Sequence, residues 1–156
     1  MGTRSTITFI SRYEDPESHR VRETPYVRIY QQYDGYPEGV GLELVDWLEK
    51  KNLVNGISSY TDDIANGLGC LTAQYIRDHK PGPGDLYIEP LDTDLTYIDY
   101  NYDVVFDHHG DYVGRKHKST EFITLRIYRF GATTPFFIGK PEELREYIQR
   151  LEEVHG

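Results

Sequence analysis

Apolar and polar residues alternate in several short stretches of the chain, and this period of two predicts β-strands. The clearest stretch spans 95–106, "LTYIDYNYDVVF", where isoleucine, valine and aromatic side chains fall on one face and mostly polar side chains on the other. Runs of β-branched or alternating residues predict four further strands at 3–10, 26–33, 85–91 and 120–130. The pattern therefore predicts five strands.

Apolar residues recur at helical spacing in three other segments. The first predicted helix runs from about Pro37 to Lys51, the second from near Thr61 to the break at Lys80, and the third begins at Pro141. Proline suits the first position of a helix, where a backbone N–H has no partner to lose. The apolar stripes are Val40, Leu44, Trp47 and Leu48; Ile64, Leu68, Leu71 and Tyr75; and Leu144, Ile148 and Leu151.

These elements give the order β-β-α-α-β-β-β-α. Strands joined by loops predict a mostly antiparallel sheet, and clustered helices predict one covered face. We therefore expect an α+β fold: a two-layer sandwich with a mostly antiparallel five-stranded sheet and helices on one face. Residues 1–156 are expected to form a single domain. The strand faces that carry Val27, Ile29, Ile98 and Ile127 are expected to meet the helices.

Two charged segments and one glycine pair interrupt these patterns. Residues 11–24 are charged and contain Pro16, so we expect a hairpin loop or a mobile arm. Residues 107–119, "DHHGDYVGRKHKS", are expected to form a polar hairpin loop. Gly67 and Gly69 fall within the second predicted helix, where each glycine costs about 1 kcal/mol relative to alanine. Such a pair indicates close approach by another backbone or by a ligand.

Charge and composition exclude several classes of partner. The chain has a formal net charge of -9 and a pI of about 5.1, so it gains nothing from the counterion release that drives binding to polymeric nucleic acid. The start, "MGTRSTITFISRYED", lacks the apolar region of a signal peptide, and no run of 18 apolar residues occurs. The single cysteine, Cys70, fits a reducing compartment. We expect a cytoplasmic protein that does not bind a membrane.

The second face of the predicted sheet is rich in tyrosine and arginine, in a chain that has 14 tyrosines against 6 phenylalanines. Aromatic rings and guanidinium planes can stack on a flat base, and arginine binds phosphate in a bidentate manner. A nucleotide-type ligand is one interpretation of this face, and a solvated face or a dimer contact is the other. The face carries Arg28, Tyr30 and Gln32; Tyr97, Asp99 and Asn101; and Arg126 and Tyr128.

The stretch 30–41, "YQQYDGYPEGVG", joins the second predicted strand to the first predicted helix. A turn and a helix start explain Gly35 and Pro37 on their own. The remaining polar groups exceed what a turn requires, and Asp34 and Glu38 can accept hydrogen bonds from hydroxyls or amines. We therefore assign ligand binding to four residues of this corner: Gln32, Asp34, Tyr36 and Glu38.

Three motifs, "MGTRS", "YQQYDGYPEGVG" and "NGLGCLTAQYI", resemble an uncharacterised family of small bacterial and phage proteins with no established activity. The resemblance covers roughly residues 1–104 and implies a phage–host setting, but it implies no mechanism. The matching positions are Arg4, Gln32, Asp34, Gly35, Tyr36, Glu38, Asn66, Gly67 and Gly69.

Signals for catalysis are weak. Cys70 lies among apolar neighbours of a predicted helix, as a structural thiol does, and the chain has no nucleophile-elbow, phosphate-loop or zinc-protease motif. The loop that begins "DHHGD" carries enough donors for a metal, although adjacent histidines at a strand end usually point to opposite sides. Those donors are Asp107, His108, His109, Asp111 and His117.

We predict a non-catalytic protein that binds a small nucleotide-type signal, with no cofactor, no metal and no catalytic residue. Two alternatives remain: a protein-interaction module or homodimer that uses the tyrosine-rich face, and a nucleotide-processing enzyme. The predicted ligand-binding residues are Arg28, Tyr30, Gln32, Asp34, Tyr36, Glu38, Asn66, Asp99, Asn101, Arg126 and Tyr128.

Overall fold

A computed structural model describes residues 2–54, 61, 63–107 and 117–155. Within them, three helices and two β-sheets form an α+β fold, which confirms the expected class. A π-helical turn at Pro37–Gly41 leads into the first helix. The elements in chain order are β1 (Ser5–Glu14), β2 (Val21–Gln31), α1 (Leu42–Glu49), β3 (Asn52–Val54), β4 (Ile64–Asn66), α2 (Gly67–His79), β5 (Leu86–Glu89), β6 (Tyr100–Asp107), β7 (His117–Lys118), β8 (Ile123–Arg129), β9 (Phe137–Gly139) and α3 (Pro141–His155).

The larger sheet has six strands in the order β5-β2-β1-β6-β8-β9. β1 pairs in parallel with β6, from Ser5 beside Tyr100 to Arg12 beside Asp107, whereas the other described pairs of this sheet are antiparallel. The expected five-stranded sheet was therefore wrong in strand number and in its central pair. A parallel pair needs a long crossover, and the chain between β2 and β6, with its two helices, supplies one.

The alternation along the strands correctly predicted most of the side chains that face the helices, but Ile98 precedes β6 and lies outside the hydrophobic cluster. Ile29, Tyr102 and Ile127 are fully buried and belong to the same hydrophobic cluster as Leu44 of α1 and Leu71 of α2. Burying a side chain of this size stabilises a fold by roughly 1.5–3 kcal/mol. The helices therefore cover one face of the six-stranded sheet, as expected.

The start of α2 differs from the prediction. β4 lies where a helix was expected, and it pairs in parallel with β3 in a second sheet of the order β4-β3-β7. These strands have two or three residues each, too few to produce a readable alternation. α2 then begins at Gly67, whose φ of 81° lies in the left-handed region that favours glycine. Gly67 therefore opens the helix rather than weakening its interior.

The charged segment 11–24 is mostly strand rather than loop. β1 continues to Glu14 and β2 begins at Val21, and the turn between them is closed by a hydrogen bond from Asp15 N to Arg20 O of 2.8 Å. A β-bulge between Phe9 and Ile10 increases the twist of this hairpin. Side chains near its tip are mostly exposed on both faces, so no apolar alternation marks these strands in the sequence.

Candidate functional site

A cavity of about 940 Å³ lies at one end of the larger sheet, where β1 and β6 begin and where β2 and β8 end. We call it the end cavity. Its volume is at the upper end of the range of small-molecule sites, and it opens to solvent. It is lined by Gly2, Thr3, Arg4, Tyr30, Gln32, Tyr33, Asp99, Tyr100, Arg129 and Phe130.

The corner after β2 holds the N-terminal segment against this end of the sheet. Gly35 N donates to Thr3 O at 3.0 Å, and the buried hydroxyl of Tyr102 donates to Gly35 O at 2.6 Å. A Cβ on Gly35 would lie 2.7 Å from Ser5 Cβ and 2.9 Å from Thr3 O, closer than packed atoms approach. Glycine at this position therefore permits the close contact that forms one wall of the end cavity.

Arg4 and Asp99 form a linked pair in the wall of the cavity. Arg4 N donates to Asp99 Oδ2 at 2.8 Å, and Arg4 Nε lies 3.8 Å from the same oxygen. The guanidinium also donates from Nη2 to the backbone oxygen of Tyr97 at 2.6 Å. Both side chains remain partly exposed. The pair thus presents a positive and a negative group at fixed positions.

Arg129 adds a second positive charge to the end cavity. Its guanidinium carbon lies 4.6 Å from the ring centroid of Phe136, which is cation–π geometry. Within the described part of the chain Arg129 forms no ion pair. Its N–H groups are therefore available to an anionic ligand, because a ring contact does not use these donors.

Aromatic rings surround the two arginines. Tyr33 and Phe130 are 56% and 57% exposed, a high fraction for rings of this size beside a cavity. Tyr30 lies 6.1 Å from Tyr87, centroid to centroid, and burial raises the pKa of its hydroxyl although Arg4 opposes the rise. The end cavity thus combines stacking surfaces, two guanidinium groups and one carboxylate, which together suit a flat, anionic, hydroxyl-bearing molecule.

Four of the predicted ligand residues contribute instead to a polar network on the uncovered face of the sheet. Arg28 donates to Thr8 Oγ1 at 2.8 Å and to Leu91 O at 2.5 Å, and Asn101 accepts from the buried Thr6 hydroxyl. The packing of this network leaves Asn101 only 8% exposed. None of the four lines the end cavity; they are Arg28, Asn101, Arg126 and Tyr128.

Asp103 is the centre of that network, and the sequence interpretation did not select it as a site residue. Arg126 Nη2 lies 3.2 Å from Asp103 Oδ2 and 2.9 Å from Glu23 Oε1 of the hairpin. Burial raises the pKa of Asp103, while the charges of Arg126 and Arg28 oppose the rise. These ion pairs link the β1–β2 hairpin to β6 and β8, so these charged side chains already have partners within the protein.

The corner residues line three different cavities. Gln32 lines the end cavity, and its Oε1 accepts from Asp85 N at 3.2 Å. Asp34 has a φ of 57°, and its side chain accepts from the Tyr36 hydroxyl at 3.0 Å, which raises the pKa of Tyr36. Asp34 lines a separate cavity of about 300 Å³, and Glu38 lines another of about 570 Å³.

Asn66 lies far from the corner. It precedes α2, whereas His79 at the other end of α2 shares the smaller cavity with Asp34. A helix rises 1.5 Å per residue, so the 13 residues of α2 separate its ends by roughly 18 Å. The structure therefore does not bring Asn66 together with the corner residues.

The sequence patterns did not select several cavity residues that lie at the ends of strands. Arg129 and Phe130 come at the end of the fifth predicted strand, and alternation placed Tyr100 on the core face. The signal available was the resemblance, which had singled out Arg4 at the start of the chain. Which strand ends meet depends on the β1–β6 pairing, and alternation alone does not contain that information.

The described residues contain neither a cluster of metal-binding side chains nor a membrane-spanning helix. No group of three or more His, Cys, Asp or Glu side chains with metal-binding geometry occurs among them. Most of the candidate donor loop, including His108, His109 and Asp111, lies outside the described residues. No described helix is both long and apolar enough to cross a membrane.

Comparison of the chain with protein-family models, with curated proteins and with solved structures finds no match. The likeness to small bacterial and phage proteins therefore stays a prediction.

Proposed function

We propose that this chain is a non-catalytic binding protein for a small nucleotide-type ligand and that the end cavity holds the ligand. The observation that carries the proposal is the placement of Arg4 and Arg129 beside the exposed rings of Tyr33 and Phe130 around one cavity. Rings offer stacking to any base, and guanidinium groups bind phosphate. The described linings of the two smaller cavities, of about 300 and 570 Å³, contain no arginine.

Local charge supports an anionic ligand despite the acidic chain. Arg4 and Arg129 contribute two positive charges to the lining and Asp99 contributes one negative charge, so the ionisable side chains leave a net charge of +1. The whole chain carries -9. A single phosphate group can therefore be attracted locally where a long nucleic acid would be repelled.

Binding without reaction fits the residue types in the cavity. The described lining contains no histidine, cysteine, serine or lysine, and Asp99 is its one carboxylate. General acid–base catalysis and covalent catalysis usually employ those groups in positioned pairs. A protein that holds a nucleotide unchanged would sequester a signal, and only the phage–host setting of that role comes from the resemblance.

The test is thermal unfolding of the purified protein with a panel of nucleoside mono- and diphosphates, cyclic mononucleotides and dinucleotides. A ligand at 100 times its Kd adds about 2.7 kcal/mol to the free energy of unfolding. The mass of each ligand is measured again after incubation, because an altered mass would indicate an enzyme. A panel without stabilisation would refute the proposal.

A matched pair of variants locates the effect. Arg129→Gln removes a guanidinium from the end cavity, whereas Arg150→Gln makes the same change at an exposed position of α3. A charge-assisted hydrogen bond contributes about 1.5–3 kcal/mol, so the first variant should weaken nucleotide binding about 10- to 100-fold. The second should leave binding unchanged. Equal affinities for both variants would place the ligand elsewhere.

Self-association is a second candidate, because exposed aromatic residues extend beyond the cavity. Tyr97 is 67% exposed, and its backbone oxygen accepts a hydrogen bond from Arg4 of the end cavity. Aromatic side chains are enriched where proteins contact each other. Native mass spectrometry separates the two: a dimer that persists with a blank nucleotide panel favours self-association, and a monomer that gains a nucleotide mass favours ligand binding.

A further inference from the structure

Asp99 has one carboxylate oxygen that the protein uses and one that it does not. Oδ2 accepts from Arg4 N at 2.8 Å and faces Arg4 Nε at 3.8 Å. Within the described residues Oδ1 accepts no hydrogen bond, although the side chain is 38% exposed and lines the end cavity. A carboxylate oxygen has two lone pairs, so Oδ1 can accept from two neighbouring hydroxyl groups.

The backbone fixes this acceptor beside a stacking surface. Phe130 N donates to Asp99 O at 3.0 Å. This backbone hydrogen bond keeps the residue with the exposed ring next to the residue with the carboxylate. Arg4 contacts the other carboxylate oxygen, so the carboxylate has a positively charged neighbour while Oδ1 faces the end cavity. A ring, a hydroxyl acceptor and a guanidinium at fixed positions correspond to the three parts of a nucleotide.

We propose that Asp99 recognises the 2′,3′-diol of a ribose, so that the end cavity takes ribonucleotides whose phosphate is attached at the 5′ position. This inference rests on the proposed function. A phosphate at the 3′ position would lie against the Asp99 carboxylate and be repelled, whereas two hydroxyl groups donate to it. A site built to hydrogen-bond a hydroxyl rejects the analogue that lacks it, because the polar group is left without its partner.

The experiment is calorimetric titration of the wild-type protein with ADP, 2′-deoxy-ADP, 3′-deoxy-ADP and 3′,5′-cyclic AMP. Hydrogen bonds to a charged acceptor predict that each of the last three binds about 10- to 100-fold more weakly than ADP. If ADP and both deoxy analogues bind with equal affinity, the assignment of Asp99 to the diol is overturned, but the proposal of a nucleotide site is not. Tighter binding of 3′,5′-cyclic AMP than of ADP also overturns it. Failure of every nucleotide overturns the proposed function as well.

The variant Asp99→Asn distinguishes direct recognition of the ribose by Asp99 from a role in positioning the Arg4 side chain. In Asp99→Asn the ratio of the 2′-deoxy-ADP and ADP dissociation constants should fall towards one. If Asp99 merely positioned Arg4, the substitution would weaken both nucleotides equally and keep the wild-type ratio, which would overturn the assignment. The control is Asp92→Asn, at an exposed carboxylate between β5 and β6, and it should keep both the affinity and the ratio. Circular dichroism checks that all variants fold.

Discussion

Alanine at Gly35 should destabilise the protein because the corner and the N-terminal segment leave no room for a Cβ. The added carbon would lie 2.7 Å from Ser5 Cβ and 2.9 Å from the backbone oxygen of Thr3. Neither atom belongs to the end of a flexible side chain, so the backbone of one segment has to move. Overpacking of this kind costs about 1–3 kcal/mol. In a chain of this length, that cost lowers the Tm by about 2–12 °C.

Gly69 provides a matched control with the opposite expected sign. It lies in the first turn of α2, and a Cβ added there meets nothing within 4 Å. Alanine restricts the unfolded chain more than glycine does, so Gly69→Ala should stabilise the protein by about 0.4–1 kcal/mol. Both positions belong to the motifs that carry the family resemblance, yet one glycine is required by packing and the other is not.

Thermal unfolding followed by circular dichroism measures both variants under the same conditions. The Gly35→Ala protein should also bind nucleotides more weakly, because Thr3 lines the end cavity and has to shift. A Gly35→Ala protein as stable as the wild type would refute the close contact between the corner and β1. A loss of stability in Gly69→Ala would refute the assignment of an open surface at the start of α2.

Two further predictions concern buried polar groups. Tyr102→Phe removes the donor to Gly35 O and should lower the free energy of unfolding by about 1–3 kcal/mol. Urea titration measures this change, and an unchanged midpoint would contradict the 2.6 Å hydrogen bond. Because burial raises the folded-state pKa of Asp103 above 3.8, its contribution to stability is full below that pH and is lost as pH rises through the raised pKa. The stability of the wild type relative to Asp103→Asn should therefore decline as pH rises from about 3.8, and a relative stability that increases with pH would contradict the raised pKa.

The covered side of the sheet could be predicted because alternation determines which side chains share a face. Ile29, Tyr102 and Ile127 are buried as the period of two requires. The same rule placed Arg28 and Arg126 on the opposite face, and the structure confirms that placement. The rule does not say which partners those side chains find. In the structure Glu23 of the bulged hairpin and Asp103 of β6 form ion pairs with Arg126.

The end cavity could be predicted only in part. Tyr30, Gln32 and Asp99 were selected from the sequence and line it, and Arg4 was selected through the resemblance. Arg129 was not selected, because its relevance depends on β6 lying between β1 and β8. That arrangement follows from the parallel β1–β6 pair, a long-range contact that local periodicity cannot reveal. Asn66 was also selected through the resemblance, and its place before α2 separates it from the corner.

The most direct test of the account is the structure of the protein with ADP bound, determined by crystallography. We expect the adenine ring to stack on Tyr33 or Phe130, the phosphates to lie within hydrogen-bond distance of Arg4 or Arg129, and the ribose hydroxyls to lie beside Asp99. A nucleotide bound at either smaller cavity or on the uncovered sheet face, with the end cavity empty, would contradict the central claim.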